Sequence, residues 1–170
     1  MAIDENLGAS QYTSILKKLR DALLADKNIN TVTVGDIGDI DLDKITLFPL
    51  GHIVITNATF TNQVVNYQIQ ILLMDVVHND ITLQEGTTYI EETIFQDDNE
   101  AYVLNTMLNI GNRLTDDFAN GSLYDGNFFV ERSSVSCQPF SDRFENQLAG
   151  WSFDFTLTVR NNIDRCNTGS

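Results

Sequence analysis

The stretch WSFDFTLTV, from Trp151 to Val159, is the clearest strand pattern in the chain. Its aromatic and aliphatic residues alternate with polar ones, so one set of side chains can enter a core while the other set faces water. Such a strand is stable only beside other strands, and the sequence on either side of it predicts several.

Three stretches before it are rich in β-branched residues: Thr31–Val34, His52–Phe60 and Asn66–Val77. The last two are separated by a short polar stretch, 61–63, which predicts an antiparallel hairpin. The second strand of this hairpin ends with apolar residues on both faces, which indicates that its end is covered on both sides. A further strand is predicted at Asn127–Gln138.

Two segments have apolar residues at helical spacing, namely 10–25 and Asn99–Phe118. In the second, Gly111 lies on the apolar face, where it would allow a neighbouring backbone to approach closely. Asn120 and Gly121 then end the helix. The predicted fold is therefore α+β: an antiparallel or mixed sheet with both helices packed on one face.

A length of 170 residues fits one domain, taken as residues 1–170. Extended loops are predicted at 78–99 and 138–150, and a loose C-terminal tail at 161–170. A polar connection as long as 78–99 inside a compact domain is usually functional or disordered.

The charge balance restricts the function. The chain has 24 acidic and 10 basic residues, a net charge of −14. This excess disfavours a basic patch that reads DNA or RNA, and it disfavours binding to an anionic membrane surface. The acidic start of the chain predicts no signal peptide, and no apolar run approaches the length of a membrane span.

Two groups of carboxylates are candidates for chemistry, the first for binding a metal ion and the second for general acid–base catalysis. Oxygen ligands of this kind bind hard cations such as Ca²⁺ and Mg²⁺, but the spacing of the first group lacks the Gly and Glu of an EF-hand loop. For the first group a solvated acidic loop is favoured, and for the second a polar stretch whose carboxylates cap the start of a helix. The residues are Asp36, Asp39, Asp41 and Asp43 in the first group, and Glu91, Glu92, Asp97, Asp98 and Glu100 in the second.

No catalytic constellation is found. His52 and His78 lie at strand ends without a nucleophile motif such as G-x-S-x-G, and no phosphate-binding glycine motif is present. Cys137 and Cys166 are expected to be free thiols, and two Cys and two His without metal-site spacing predict no structural zinc. We therefore predict no enzyme activity, no cofactor and no metal.

Aromatic residues and a proline in the predicted connections are candidates for an interface. Such residues either fold back under their loop or anchor a partner protein. They are Phe48, Pro49, Tyr89, Phe95, Phe140 and Phe144.

Four stretches resemble small neck and tail-junction proteins of tailed bacteriophages, especially those of crAss-like and related phages of Bacteroidetes. These stretches are Thr33–Ile55 (TVGDIGDIDLDKITLFPLGHIVI), Met74–Val77 (MDVV), Tyr102–Asn105 (YVLN) and Pro139–Trp151 (PFSDRFENQLAGW). The order of helices and strands is also similar to the tail-terminator fold of siphophages.

This resemblance implies a structural virion protein that forms a homo-oligomeric ring, either a neck ring or a tail terminator. The ring would join the portal or connector to the tail at the head–tail junction, after synthesis in the host cytoplasm. Its partners would be further copies of itself and the neighbouring portal, connector and tail rings. DNA would pass through the channel without specific binding. The carboxylates predicted to line that channel are Asp36, Asp39, Asp41, Asp43, Glu91 and Glu92.

Two alternatives remain open from the residues. One is a binding module, or an enzyme, that depends on Ca²⁺ or Mg²⁺ bound by Asp36–Asp43. The other is an inhibitor that mimics nucleic acid through its acidity and binds a basic host protein.

Overall fold

The computed structural model describes residues 9–41, 44–78, 99–124, 128–141 and 147–161. Within these ranges the chain forms two α-helices, each followed by three strands. Their bounds are α1 Ala9–Leu24, β1 Thr31–Val34, β2 Leu50–Phe60, β3 Val64–Val76, α2 Glu100–Ala119, β4 Phe128–Val130, β5 Ser136–Ser141 and β6 Leu148–Arg160.

All six strands belong to one mixed sheet, in the order β1-β2-β3-β6-β4, and β5 pairs with β6 next to β4. β1 runs parallel to β2, and the other pairs are antiparallel. The centre of the sheet is β3 against β6, two 13-residue strands paired in continuous register from Val64↔Arg160 to Val76↔Leu148. The predicted hairpin is β2–β3, and the α+β prediction is confirmed.

Both helices pack on one face of this sheet. α1 places Ile15, Leu19 and Leu23, each at most 1% exposed, toward the sheet. α2 contributes a longer stripe, and both stripes join one core with the odd-numbered residues of β3 and β6. The helical residues of α2 in this core are Val103, Met107, Ile110, Leu114 and Phe118. The alternation in β6 therefore directs its aromatic residues to the helices, as the sequence pattern predicts.

Gly111 of α2 lies directly against β6. The ring of Phe153 in β6 lies against the helix backbone here, and a Cβ at position 111 would overlap its ring carbons. The sequence predicts close packing at this glycine, but a ring rather than a neighbouring backbone occupies the space. Because glycine has no side chain, α2 can pack close to β6, although glycine lowers the helix propensity at this position.

The region before β6 differs from the prediction. The single strand predicted at Asn127–Gln138 is wrong: two short strands, β4 and β5, pair with successive parts of β6, and a 3-10 turn at Arg132–Ser134 separates them. The loop predicted at 138–150 is also too long, because β5 continues to Ser141 and β6 begins at Leu148. Pro139 is tolerated inside β5 because this strand lies at the sheet edge and needs no donor on its outer side.

Within the described part of the chain, neither α-helix combines the length and the apolarity that a bilayer crossing requires.

Candidate functional site

The face of the sheet opposite the helices, called the helix-free face below, carries most of the described candidate residues. It has two halves. The half near the start of β2 is covered by residues 35–41 and 44–49, the described part of the acidic connection between β1 and β2. The other half is a row of polar side chains on β3 and β6, called the polar half below, in which Gln68 is exposed, Ser152 is buried and the others are half-buried. It consists of Asn66, Gln68, Gln70, Ser152, Asp154, Thr156 and Thr158.

The acidic connection begins at Gly35, whose φ of 114° is in the region that favours glycine. Asp36 then caps a 3-10 turn, Ile37–Asp39, because its carboxylate accepts a hydrogen bond from the Gly38 N–H at 2.9 Å. Asp39 and Asp41 are exposed on the same connection. Asp36, Asp39 and Asp41 therefore lie on the outer surface of the helix-free face, and Asp36 also caps the 3-10 turn.

Asp41 also lies 3.7 Å from the ammonium group of Lys44, in an ion pair whose side chains are both more than half exposed. Such a pair contributes at most about 1 kcal/mol. Among the residues that the structure describes, no three His, Cys, Asp or Glu side chains come together as a metal site would require.

His52 attaches this connection to the sheet. Its side chain is fully buried on β2. Nε2 lies 3.0 Å from the carbonyl oxygen of Gly35, and Nδ1 lies 2.8 Å from the hydroxyl of Thr33. A carbonyl can only accept, so Nε2 carries the proton and Nδ1 accepts from the Thr33 hydroxyl in the neutral ring.

Burial lowers the pKa of the His52 imidazole below its usual value of 6.5. The hydrogen bond to Gly35 and the negative charge of Asp36 oppose this shift more weakly. His52 is therefore a neutral structural clamp between two strands and the acidic connection, which agrees with the absence of a nucleophile motif beside it in the sequence.

A second, smaller core lies beneath the acidic connection. Phe48 and Phe140 are 8% and 7% exposed and pack with Leu50, Met74 and Leu148. The apolar residues at the end of β3 are thus covered on both faces, as the sequence predicts.

The hypothesis that Phe48 and Phe140 anchor a partner from a loop needs correction. Phe140 lies in β5, not in a connection, and both rings fold under the chain into its own second core. The next residue after Phe48, Pro49, is half-buried, and its carbonyl accepts hydrogen bonds from Asn30 and Thr31. The apolar surface of these two rings is therefore used within the chain.

Hydrogen bonds between side chains order the polar half across the two central strands. Gln68 Nε2 donates to Thr156 Oγ1 at 2.9 Å, and the Thr158 hydroxyl donates to Asn66 Oδ1 at 3.0 Å. Gln70 Nε2 donates to both Ser152 Oγ and Asp154 Oδ1, each at 3.2 Å. Asp154 is the single charged residue of this array, so the surface is ordered, hydrated and almost neutral.

The other candidate residues lie outside the described residues: Asp43, Tyr89, Glu91, Glu92, Phe95 and Phe144. Cys166 does too, whereas Cys137 is free and exposed on β5. The predicted loop 78–99 is described only at its ends. There the His78 N–H donates to Asn99 Oδ1 at 2.7 Å, and the Asn99 N–H donates to the His78 carbonyl at 3.4 Å. The segment therefore leaves and rejoins the fold at one point.

A cleft of about 230 Å³ opens between the helices on the other side of the molecule. Its floor is apolar, formed by Leu23, Ile110, Leu114 and Leu123, and an ion pair between Asp26 and Arg113 lies at its rim. Reasoning from the sequence missed this cleft because no motif marks it. Most of its residues come from the C-terminal parts of the two helices, where the apolar spacing predicts only packing into the core.

Neither a scan against protein-family models nor a search of curated proteins gave a match to this chain.

Proposed function

We propose that this chain is a structural subunit of a homo-oligomeric ring at the head–tail junction of a tailed-bacteriophage virion. In this position it would join the portal or connector to the tail and line the channel through which DNA passes. The proposal covers both a neck ring and a tail terminator. Its first support is the resemblance of Thr33–Ile55 and Pro139–Trp151, which flank the helix-free face.

The observation that carries the proposal is the composition of the helix-free face. The polar half presents amides and hydroxyls with one carboxylate, and the neighbouring acidic connection presents Asp36, Asp39 and Asp41 to solvent. Among the described residues of this face, the cations are Lys44, which is paired with Asp41, and Arg160 at the far end of β6. We assign this face to the channel.

Such a face suits the passage of DNA because it does not hold phosphate. Carboxylates repel the DNA backbone over about 8 Å at physiological salt, the Debye length, so close contact is disfavoured. The amides and hydroxyls hydrogen-bond to water and to one another, and the described cations are too few for the phosphate contacts of a DNA-binding surface. A DNA strand would move past a hydrated wall.

The test places cations on this face. A double variant, Gln68→Lys with Thr156→Lys, adds two positive charges to the polar half. The matched control, Asn105→Lys with Asn109→Lys, adds the same charge to the exposed side of α2. In virions assembled with each variant, we expect the first to slow DNA ejection or block packaging and the control to behave as the wild type. Equal behaviour of the two variants would refute the assignment of this face to the channel.

A second test concerns assembly. The segment 78–99 is our candidate for contacts between subunits and with neighbouring rings, and its ends are held together by the hydrogen bonds between His78 and Asn99. Replacing residues 84–97 with a short Gly-Ser linker should leave the described fold intact and prevent assembly. A variant that still builds normal particles would contradict this role.

A further inference from the structure

The β2–β3 hairpin carries no charged side chain before Asp75, near the end of β3, although the chain is strongly acidic. From Ile45 to Met74 the sequence contains no Asp, Glu, Lys or Arg, although the whole chain carries a net charge of −14. Two copies of such a protein repel each other over most of their surfaces. The hairpin can approach another copy without this penalty.

The tip of this hairpin presents an aromatic ring to solvent. Phe60 is 71% exposed, the highest value among the large apolar side chains that the structure describes. The turn beside it is well ordered, because the Thr61 N–H and hydroxyl both donate to the Val64 carbonyl at 2.9 Å. The hydrogen-bonded turn therefore fixes the backbone next to Phe60, as is typical of a residue that anchors an interface.

The cleft between the helices has the properties of a receptor for such a ring. Its volume is about 230 Å³, and a cavity of about 150 Å³ already accepts benzene. Leu24 and Tyr124, next in the chain to the lining residues Leu23 and Leu123, are 47% and 55% exposed. The charges of Asp26 and Arg113 at the rim offset each other in their ion pair, and Ser122 and the carboxylate of Asp117 complete the polar part of the lining.

The ring and the cleft of one molecule cannot meet. The hairpin tip lies beside the start of α1: the Asn161 N–H donates to the Gln63 carbonyl, and Gln11 Nε2 donates to the carbonyl of the preceding Arg160. The cleft lies at the other end of α1, next to Asp26. The part of α1 from Gln11 to Leu24 separates the two ends by roughly 20 Å.

We propose that Phe60 of one copy inserts into the helix cleft of a second copy. The contact joins two different surfaces, so it repeats head to tail and builds a ring or a filament, not a closed pair. It rests on the homo-oligomer proposed above and deepens it, because it names the two surfaces that meet between neighbouring subunits.

The experiment measures self-association of the wild-type chain and its variants by analytical ultracentrifugation up to millimolar concentration. Phe60→Asp removes the ring, and Ala25→Trp fills the cleft from its exposed rim. The controls are Tyr102→Asp, at an aromatic residue that is 70% exposed elsewhere on α2, and Lys27→Trp beside the cleft. We expect each of the first two variants to weaken association about 30-fold or more and the controls to leave it unchanged.

Mixing the two defective variants gives the decisive result. Phe60→Asp keeps an intact cleft and Ala25→Trp keeps an intact ring, so an equimolar mixture should form a one-to-one complex that does not grow further. A mixture that stays monomeric overturns the proposal, as does a wild-type chain that is monomeric at millimolar concentration. Unchanged association of both variants overturns it too. That result would mean that copies of this chain do not meet through the cleft, as is expected if a different protein occupies it.

This outcome is separable from that of the proposed function. If Phe60→Asp and Ala25→Trp associate as the wild type while cations on the polar half block DNA passage, the contact is wrong and the junction role stands. If the mixture forms the one-to-one complex while those cations have no effect on DNA, the contact stands and the channel assignment fails.

Discussion

The two faces of the sheet are built from the same strands but are covered in different ways. On the helix face, alternate residues of β3 and β6 meet two amphipathic helices and form the main core. On the other face, the described part of the connection between β1 and β2 covers one half with two 3-10 turns, and the polar half lies outside this cover. The same alternation of apolar and polar residues thus gives a stable core on one face and a polar surface on the other. Stability and function can therefore be tested on separate sets of residues.

The largest expected effect comes from removing a phenylalanine on the helix face. Phe155→Ala should lower the free energy of unfolding by about 3–5 kcal/mol, because Phe155 is 2% exposed within a tightly packed core. Phe140→Ala on the other face should cost less, about 2 kcal/mol, since the irregular connection above it can close over part of the space. Urea titrations followed by the fluorescence of Trp151, the single tryptophan, measure both values. Equal losses would show that the second core is as rigid as the first.

The next effect concerns the contact of α2 with β6. Gly111→Ala should destabilise the protein by about 2 kcal/mol, because the new methyl group overlaps the Phe153 ring and this strain exceeds the gain in helix propensity. Asn109→Ala, on the exposed side of the same helix, is the control and should be neutral or slightly stabilising. Adding Phe153→Leu should cost less in the Gly111→Ala background than in the wild type. Additive losses would mean that the ring does not limit the approach of the helix.

The sequence predicts these two faces unequally. The periodicity of 151–159 and of the two helices predicts the helix face, because burial of a regular element leaves a regular pattern. The second core depends on Phe48 and Phe140, which come from parts of the chain that meet only in the folded sheet, and no local pattern shows such a meeting. The same reason explains why β4 and β5 were predicted as one strand: their partner, β6, decides where each of them pairs.

The candidate site was predicted in part. The acidic connection was expected as a solvated loop, and Asp36, Asp39 and Asp41 are exposed there. The clamp formed by His52 was not predicted, because its partners Thr33 and Gly35 become neighbours only through the parallel pairing of β1 with β2. The cleft between the helices depends on the angle and depth of helix packing, which periodicity does not determine.

A smaller effect is expected from pH, and it should be confined to the helix-free face. The pKa of His52 is lower in the folded chain than in the unfolded chain. As the pH falls through 6.5, His52 therefore takes up a proton in the unfolded chain first, and the free energy of unfolding decreases until the pH reaches the pKa of the folded chain. His52→Gln removes the titration while keeping one donor and one acceptor. We therefore expect a smaller loss of unfolding free energy between about pH 7.5 and 5.5 in the variant than in the wild type. Hydrogen exchange should show the amides of 36–40 opening first; an identical pH profile in both proteins would exclude the clamp.

The smallest expected effect lies in the polar half. A double-mutant cycle with Gln68→Ala and Thr156→Ala should give a coupling free energy of about 0.5 kcal/mol, because the bond between these side chains is exposed and competes with water. Removing the array should therefore change the main core little. A coupling well above 1 kcal/mol would instead make the array a structural element that folding requires. A small coupling is the result expected of polar side chains that face water, and it means that these positions can be given charged side chains, as the test of the channel assignment requires, without loss of the fold.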